Sequence, residues 1–172
     1  MGRMQVLAVA ILGAWIVSTL CMWFAATQSF STVEKVLRRA EPQFVQTTQP
    51  LGEAPTRTVL RYMASEINRS LFWGYGALQI ALGAILFLFV WRQTPRRALD
   101  VGVVATMLVL SVILTAVVTP LLVSIGRSID FVSRNPPPPV MPRFWALHGS
   151  FTGLDGVKLM AGIGLLIRWI FR

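Results

Sequence analysis

Residues 70–91 read SLFWGYGALQIALGAILFLFVW, an apolar run without a charged side chain. An α-helix rises about 1.5 Å per residue, so about 20 such residues cross a hydrocarbon core of about 30 Å. The run therefore predicts a membrane-spanning helix. Aromatic side chains often lie at membrane surfaces, and we expect this role for Trp73 and Tyr75 at one end and Trp91 at the other.

Three further runs have the length of membrane spans. Residues 4–27 and 101–126 carry no charge, and residues 144–167 carry only Asp155 and Lys158. The first run is longer than the apolar part of a signal peptide and has bulky residues where a cleavage site needs small ones, so we expect a retained helix. The pattern predicts an all-α integral membrane bundle of four transmembrane helices, with both termini on one side.

The composition agrees with a multi-pass protein of the cell or inner membrane. Of 172 residues, 55% are hydrophobic and 13% charged, and the mean hydropathy is +0.64, whereas soluble domains carry about 25% charge. The net charge of +9 comes from basic residues between the apolar runs and at the chain ends, where they would meet lipid headgroups. We therefore expect a lipid bilayer as partner and no nucleic acid. Under the positive-inside rule, the total number of basic residues favours the opposite side as cytoplasmic, whereas the dense arginines at the termini and in the short turn favour cytoplasmic termini, which we expect.

The polar connection 28–69, between the first two spans, is predicted to be partly helical. Ser31 and Glu34 have the spacing of a capping box, and Pro42 should end the helix that begins there. A stripe of apolar residues at helical spacing directly precedes the second span. The stripe and the span together would form one helix about 54 Å long. That stripe consists of Val59, Met63 and Ile67.

Two shorter connections complete a chain that we interpret as a single membrane domain, residues 1–172. A tight turn with Pro95 and Arg96 joins spans two and three. The Pro-rich loop 130–142 favours extended chain, either as a spacer or as a ligand for a recognition domain.

The opening of the fourth span carries a motif of a known family. Phe144, Leu147 and His148 in FWALHGSFTGLDG resemble the Phe-x-x-Leu-His motif of the transmembrane protein 205-like family (domain of unknown function 4149). The Thr119–Pro120 step and the long polar segment after the first span are weaker similarities. The resemblance implies a small membrane protein of about four helices and no settled activity.

The chain departs from that family at two charged positions inside the fourth span. The resemblance leads us to expect Asn at 155 and an apolar residue at 158, where this chain has Asp155 and Lys158. Asp155 is twelve residues after Arg143 and thirteen before Arg168, so we expect it near the bilayer midplane. Charges at that depth are costly, and the i, i+3 spacing lets the two side chains meet.

We predict that Asp155 and Lys158 face the bundle interior and approach each other or polar groups on spans two and three. His148 and Thr152 fall on the same helix face as Asp155 and complete a candidate functional or structural site. Candidate polar partners on the other helices are Glu66, Arg69, Gln79, Thr115 and Thr119. Beside this face Gly149, Gly153 and Gly156 would let another helix approach closely.

No catalytic residues and no metal site are predicted, because one His and one Cys cannot form a closed zinc site and no nucleophile–base spacing is present. Whether His148 ligates a cofactor is left open. The expected function is that of a non-enzymatic structural or interaction protein, a small subunit that binds other membrane protein subunits or itself. The alternative is a small transporter or proton-linked protein that uses the polar face of the fourth helix.

Overall fold

The computed structural model describes residues 3–93 and 97–171, which form helices and short connections. The helices, in chain order, are α1 Arg3–Arg38, α2 Pro42–Thr48, α3 Glu53–Arg92, α4 Ala98–Ile113, α5 Thr119–Ser128 and α6 Met141–Ile170. Four helical segments are long and apolar enough to cross a membrane: α1, α3, the continuous segment Ala98–Ser128 and α6. The all-α class and the four spans of the sequence prediction are confirmed. The chain is compatible with a multi-pass membrane protein.

The four long segments pack in a ring. α1 contacts α3, α3 contacts α4, α4 contacts α6, and α6 contacts α1 again. One apolar core cluster lies at the end with the chain termini, and a second lies toward the opposite end. Polar side chains of α1, α3 and α6, including Thr19, Gln79 and Lys158, lie between the two clusters along the sequence of each helix and are buried. The interior of the bundle is thus a polar layer between two apolar ones.

The connection between the first two spans is more helical than predicted. α1 continues through the proposed capping box to Arg38, and Ser31 donates a hydrogen bond to the Gln28 carbonyl at 3.1 Å inside that helix. The prediction that a new helix begins at Ser31 was wrong. The apolar residues before Ser31 already form a helix, and this helix continues through Ser31 without a break. The helix that contains Ser31 ends at Arg38, four residues before Pro42, as expected. Pro42 is itself the first residue of α2, a position that suits its fixed φ and missing N–H.

The extension of the second span is confirmed and longer than expected. α3 has 40 residues, or about 60 Å, twice what the hydrocarbon core needs. It packs against the C-terminal half of α1, and Glu34 accepts a hydrogen bond from Arg57 at 2.7 Å. The two helices form a hairpin that projects beyond the uncharged spans.

The third span contains one wide turn. The segment Leu114–Val118 is π-helical and directly precedes the Thr119–Pro120 step. Proline has no N–H and its ring clashes with the carbonyl four residues earlier, so a regular helix cannot continue there. The Leu114 carbonyl accepts the backbone N–H of Thr119, five residues on, and also accepts a hydrogen bond from Thr119 Oγ1 at 2.9 Å.

The two remaining connections differ in what the structure describes. Pro95 and Arg96, in the predicted tight turn, lie outside the described residues. The loop between α5 and α6 brings Asp130 and Arg134 close to α3, where both line a pocket. The predicted cytoplasmic side of the termini stays a prediction.

Candidate functional site

Asp155 and Lys158 form a buried ion pair on α6. Lys158 Nζ lies 2.8 Å from Asp155 Oδ1, and the side chains are 1% and 0% exposed. The prediction that both face the bundle interior and meet is confirmed. One helical turn separates them, as the i, i+3 spacing requires.

The Asp155 carboxylate accepts hydrogen bonds from two other helices. Trp23 Nε1 of α1 donates to Oδ2 at 2.9 Å, and the Tyr75 hydroxyl of α3 donates to Oδ1 at 2.7 Å. Lys158 Nζ also lies 3.4 Å from the Tyr75 oxygen. The prediction of partners on spans two and three is therefore partly wrong. Tyr75 lies on span two as expected, but the other donor, Trp23, lies on span one and not on span three.

A second hydrogen-bonded group joins α1 and α3 beside the ion pair. The Gln79 amide nitrogen donates to Ser18 Oγ at 2.8 Å and to the Trp15 carbonyl at 3.2 Å. Thr19 Oγ1 lies 3.0 Å from the Tyr75 hydroxyl, which links this group to the carboxylate. Gln79, a predicted polar partner, thus lies next to the ion pair and does not touch it.

The network is closed to larger molecules in this conformation. A gap of about 10 Å³ adjoins Tyr75, Gln79 and Lys158, which is about the size of one water molecule. Thr115 and Thr119 line this gap as well, but the Thr119 hydroxyl is used by the Leu114 carbonyl. The arrangement fixes three helices to one carboxylate, and it leaves no room for a substrate at Asp155.

His148 and Thr152 do not share this site. Thr152 is exposed and donates to the His148 carbonyl at 3.0 Å. The His148 ring stacks on Phe144, with centroids 6.0 Å apart, and lines a different pocket. The prediction of a single polar face on α6 was wrong. At 100° per residue, the four predicted positions spread over an arc wide enough that His148 lines the other pocket while Asp155 and Lys158 face the bundle interior.

Glu66 and Arg69 belong to that second location. Arg69 Nη2 lies 2.7 Å and 2.8 Å from the two Asp130 oxygens, and its Nη1 pairs with Glu66. Arg127 Nη2 lies 3.5 Å from the other Glu66 oxygen. These charges tie the start of the second span to the end of the third and do not reach Asp155.

We call the adjoining cavity the arginine pocket. It has a volume of about 440 Å³ and lies between the ends of the spans opposite the termini. Its polar lining includes Arg61, Asn68, Arg69, Asp130, Arg134 and His148, and its apolar lining includes Ala26, Phe30, Phe72, Leu122, Val123 and Phe144.

The glycines that allow helices to approach are not the predicted ones. A Cβ at Gly149 or Gly153 would meet no described atom within 4 Å, and one at Gly156 would lie 3.7 Å from Trp23. Close approach within the described bundle occurs instead at Gly76 and Gly83, where a Cβ would lie 2.4 Å from Thr115 and 2.8 Å from Trp15. That Gly149 and Gly153 serve contacts with another chain stays a prediction.

Sequence reasoning missed three members of the polar clusters. Tyr75 was interpreted only as an aromatic residue at the membrane surface, and Trp23 only as one of the bulky residues near the end of the first run, yet each carries a donor that a buried carboxylate can use. Asp100, at the start of α4, accepts from Trp169 Nε1 at 3.0 Å and from Arg168 Nε at 3.1 Å. A search for acids within apolar segments would have found Asp100, which the uncharged-run criterion placed in a turn.

The described residues contain no group of three His, Cys, Asp or Glu side chains that could hold a metal ion. Comparison of the chain with family models, with curated proteins and with solved structures finds no match. Membership of the transmembrane protein 205-like family therefore stays a prediction.

Proposed function

We propose that this chain is a non-enzymatic interaction protein, a small membrane subunit that binds a helix of another membrane protein. The observation that carries the proposal is an apolar groove on the projecting hairpin, beyond the uncharged part of the second span. This hairpin groove has a volume of about 360 Å³ and is lined by Ala25, Gln28, Ser29, Thr32, Val33, Val36, Leu60, Met63, Ala64 and Ile67.

Exposure supports a docking role for the hairpin groove. Met63 and Ile67 are 55% and 50% exposed, although the charged residues around them indicate a polar environment and not the lipid core. Contiguous exposed apolar surface outside the membrane core marks an interaction site. The groove runs between two helices that also span the membrane, so an occupant helix would be membrane-anchored and roughly parallel to them.

The interior of the bundle supports a non-enzymatic role. The buried acid and base neutralise each other, and the carboxylate accepts hydrogen bonds from side chains of α1, α3 and its own helix α6. Such a centre stabilises a rigid scaffold, because moving any one helix would break a hydrogen bond to a buried charge.

Replacement of Met63 and Ile67 by serine should remove most of the partner recovered with the protein. Each serine deletes exposed apolar area at the groove, and we expect recovery to fall about tenfold, as loss of a small apolar anchor of about 1.5 kcal/mol implies. The measurement is affinity purification from membranes in mild detergent, followed by quantitative mass spectrometry and by detection of a second, differently tagged copy of the chain.

The matched control is Val45→Ser with Leu51→Ser. These aliphatic residues are 50% and 57% exposed and lie at the hairpin tip outside the groove. The control should keep its partner. Recovery of a bare monomer from unaltered protein, or equal loss in both double variants, contradicts the proposal.

A second candidate function is proton-linked transport. The observation that favours it is the position of Phe72, which lines both the arginine pocket and the gap beside Lys158. Its ring packs edge-to-face on Phe151, with centroids 5.0 Å apart. A rotation of this pair would join the arginine pocket to the ion pair.

Under this second candidate, Phe72→Ala should raise proton flux into proteoliposomes several-fold, since it removes an apolar barrier. His148→Leu combined with Asp155→Asn should abolish the flux. Phe24→Ala, at a side chain 68% exposed on the outer surface of α1, is the control and should leave flux unchanged. Flux that is the same in all four proteins removes this candidate.

A further inference from the structure

Two arginines of the arginine pocket have no acidic partner within ion-pair distance in the described part of the chain. Arg69 has two such partners, whereas Arg61 has none and Arg134 Nη1 reaches only the Met141 sulfur, at 3.8 Å. Partial desolvation and the charge of Arg61 lower the pKa of the Arg134 guanidinium, with a partial offset from Asp130. Arginine nevertheless stays protonated at neutral pH. Two mutually repelling cations therefore converge on one cavity.

Asn68 adds an unpaired amide to the same cavity. Its side chain lines the arginine pocket, the residue is 7% exposed, and its Oδ1 is buried without a hydrogen-bond partner among the described residues. Buried polar groups almost always have a partner, so an orphaned one calls for an explanation. The two ends of an amide are assigned from their hydrogen bonds, and exchanging them would put the NH₂ group at the orphaned position, where it would donate to a bound acceptor.

The pocket lining is also rich in apolar and aromatic side chains. They include Phe30, Phe72, Leu122 and Phe144. The cavity volume of about 440 Å³ falls in the range of small-molecule sites, about 300–1,000 Å³. A ligand that satisfies both halves has an anionic group joined to a hydrocarbon part.

The position in the fold identifies the source of such a ligand. Arg69 directly precedes the uncharged run of the second span, and Trp145, which also lines the pocket, lies at the start of the fourth. This is the level of the lipid headgroups. Basic pockets between transmembrane helices at that level recognise anionic headgroups.

We propose that the arginine pocket binds one anionic phospholipid. Its phosphate would contact Arg61, Arg134 and the Asn68 amide, and its acyl chain would lie along the phenylalanine wall. The lining contains three arginines and one aspartate, which favours an anionic ligand over a neutral one. The apolar lining residues favour a lipid over a free anion. This site is independent of the hairpin groove, so either proposal can fail alone.

The test uses the full chain in neutral detergent and native mass spectrometry with phosphatidylglycerol, phosphatidylcholine and inorganic phosphate. Phosphatidylglycerol should bind at least about tenfold more tightly than phosphatidylcholine, and Arg61→Gln with Arg134→Gln should weaken it about tenfold to thirtyfold. Without lipid, the same double variant should unfold at an equal or higher temperature, because it relieves the repulsion. A loss of binding together with kept stability separates a ligand role from a structural one.

The matched control is Arg39→Gln with Arg143→Gln, which removes the same charge from exposed positions outside the pocket. Its phosphatidylglycerol affinity should stay within about twofold of the unaltered protein. If the pocket double variant does not fold, the loop variant Arg134→Gln alone supplies the comparison. Equal affinity for the two lipids, equal weakening in both double variants, or displacement of the lipid by inorganic phosphate overturns the proposal.

Discussion

Asp155→Ala should lower the free energy of unfolding of the bundle by about 3–5 kcal/mol, the cost of stranding one partner of a buried ion pair. The variant leaves Lys158 charged in the polar layer and removes the acceptor used by Trp23 and Tyr75. Lys158→Ala should have a similar effect, since it strands the carboxylate. The double replacement should cost less than the sum, because neither charge is then left alone. Thermal and SDS-titrated unfolding followed by tryptophan fluorescence measures all three variants.

The control for this cycle is the exposed pair Glu53 and Arg57 on α3, whose atoms lie 3.3 Å apart and whose side chains are 82% and 37% exposed. Its coupling energy should stay below about 1 kcal/mol, as for solvated helix pairs. Additive effects of Asp155→Ala and Lys158→Ala, or a coupling no larger than that of the control, would show that the buried pair is not an energetic unit.

The spans and the ion pair could be predicted from the sequence because both follow from transfer energies along a single helix. Runs without charge give the spans, and two opposite charges one turn apart at mid-depth are costly unless they meet. The partners of Asp155 could not be predicted in this way. Trp23 reaches it because α1 is a neighbour of α6 in the ring, and the order of helices around a bundle leaves no periodic signal in one sequence.

The same reason explains which glycines were misassigned. Gly149, Gly153 and Gly156 form a regular spacing, which is what a pattern search detects, whereas Gly76 and Gly83 are recognised only once α1 and α4 are placed beside α3. The arginine pocket has the same origin. Its arginines come from two segments that are far apart in the chain, so no local sequence motif predicts the pocket.

Gly76→Ala should destabilise the bundle by about 1–3 kcal/mol, toward the upper end of the cost of overpacking. A Cβ there would lie 2.4 Å from Thr115 Oγ1 and 2.6 Å from its Cγ2. Threonine is branched at Cβ and stiff about χ1, and it lies in the π-helical turn, so it cannot move aside as a long side chain would.

Two further variants distinguish this contact from the general effect of alanine in a helix. Gly74→Ala, two residues away on α3, meets no described atom within 4 Å and should be neutral or stabilising by up to about 1 kcal/mol, since alanine favours helix over glycine. Thr115→Ala in the Gly76→Ala background removes the two closest atoms and should recover much of the loss, although the Thr115 Cβ at 3.0 Å remains. Unfolding temperatures that fall equally for Gly74→Ala and Gly76→Ala, or that do not recover with Thr115→Ala, would contradict a close approach of α3 to the π-helical turn. The close approach requires a glycine at position 76, because any side chain there would meet Thr115 of the π-helical turn. A Gly76→Ala protein as stable as the unaltered one would show that this requirement does not exist.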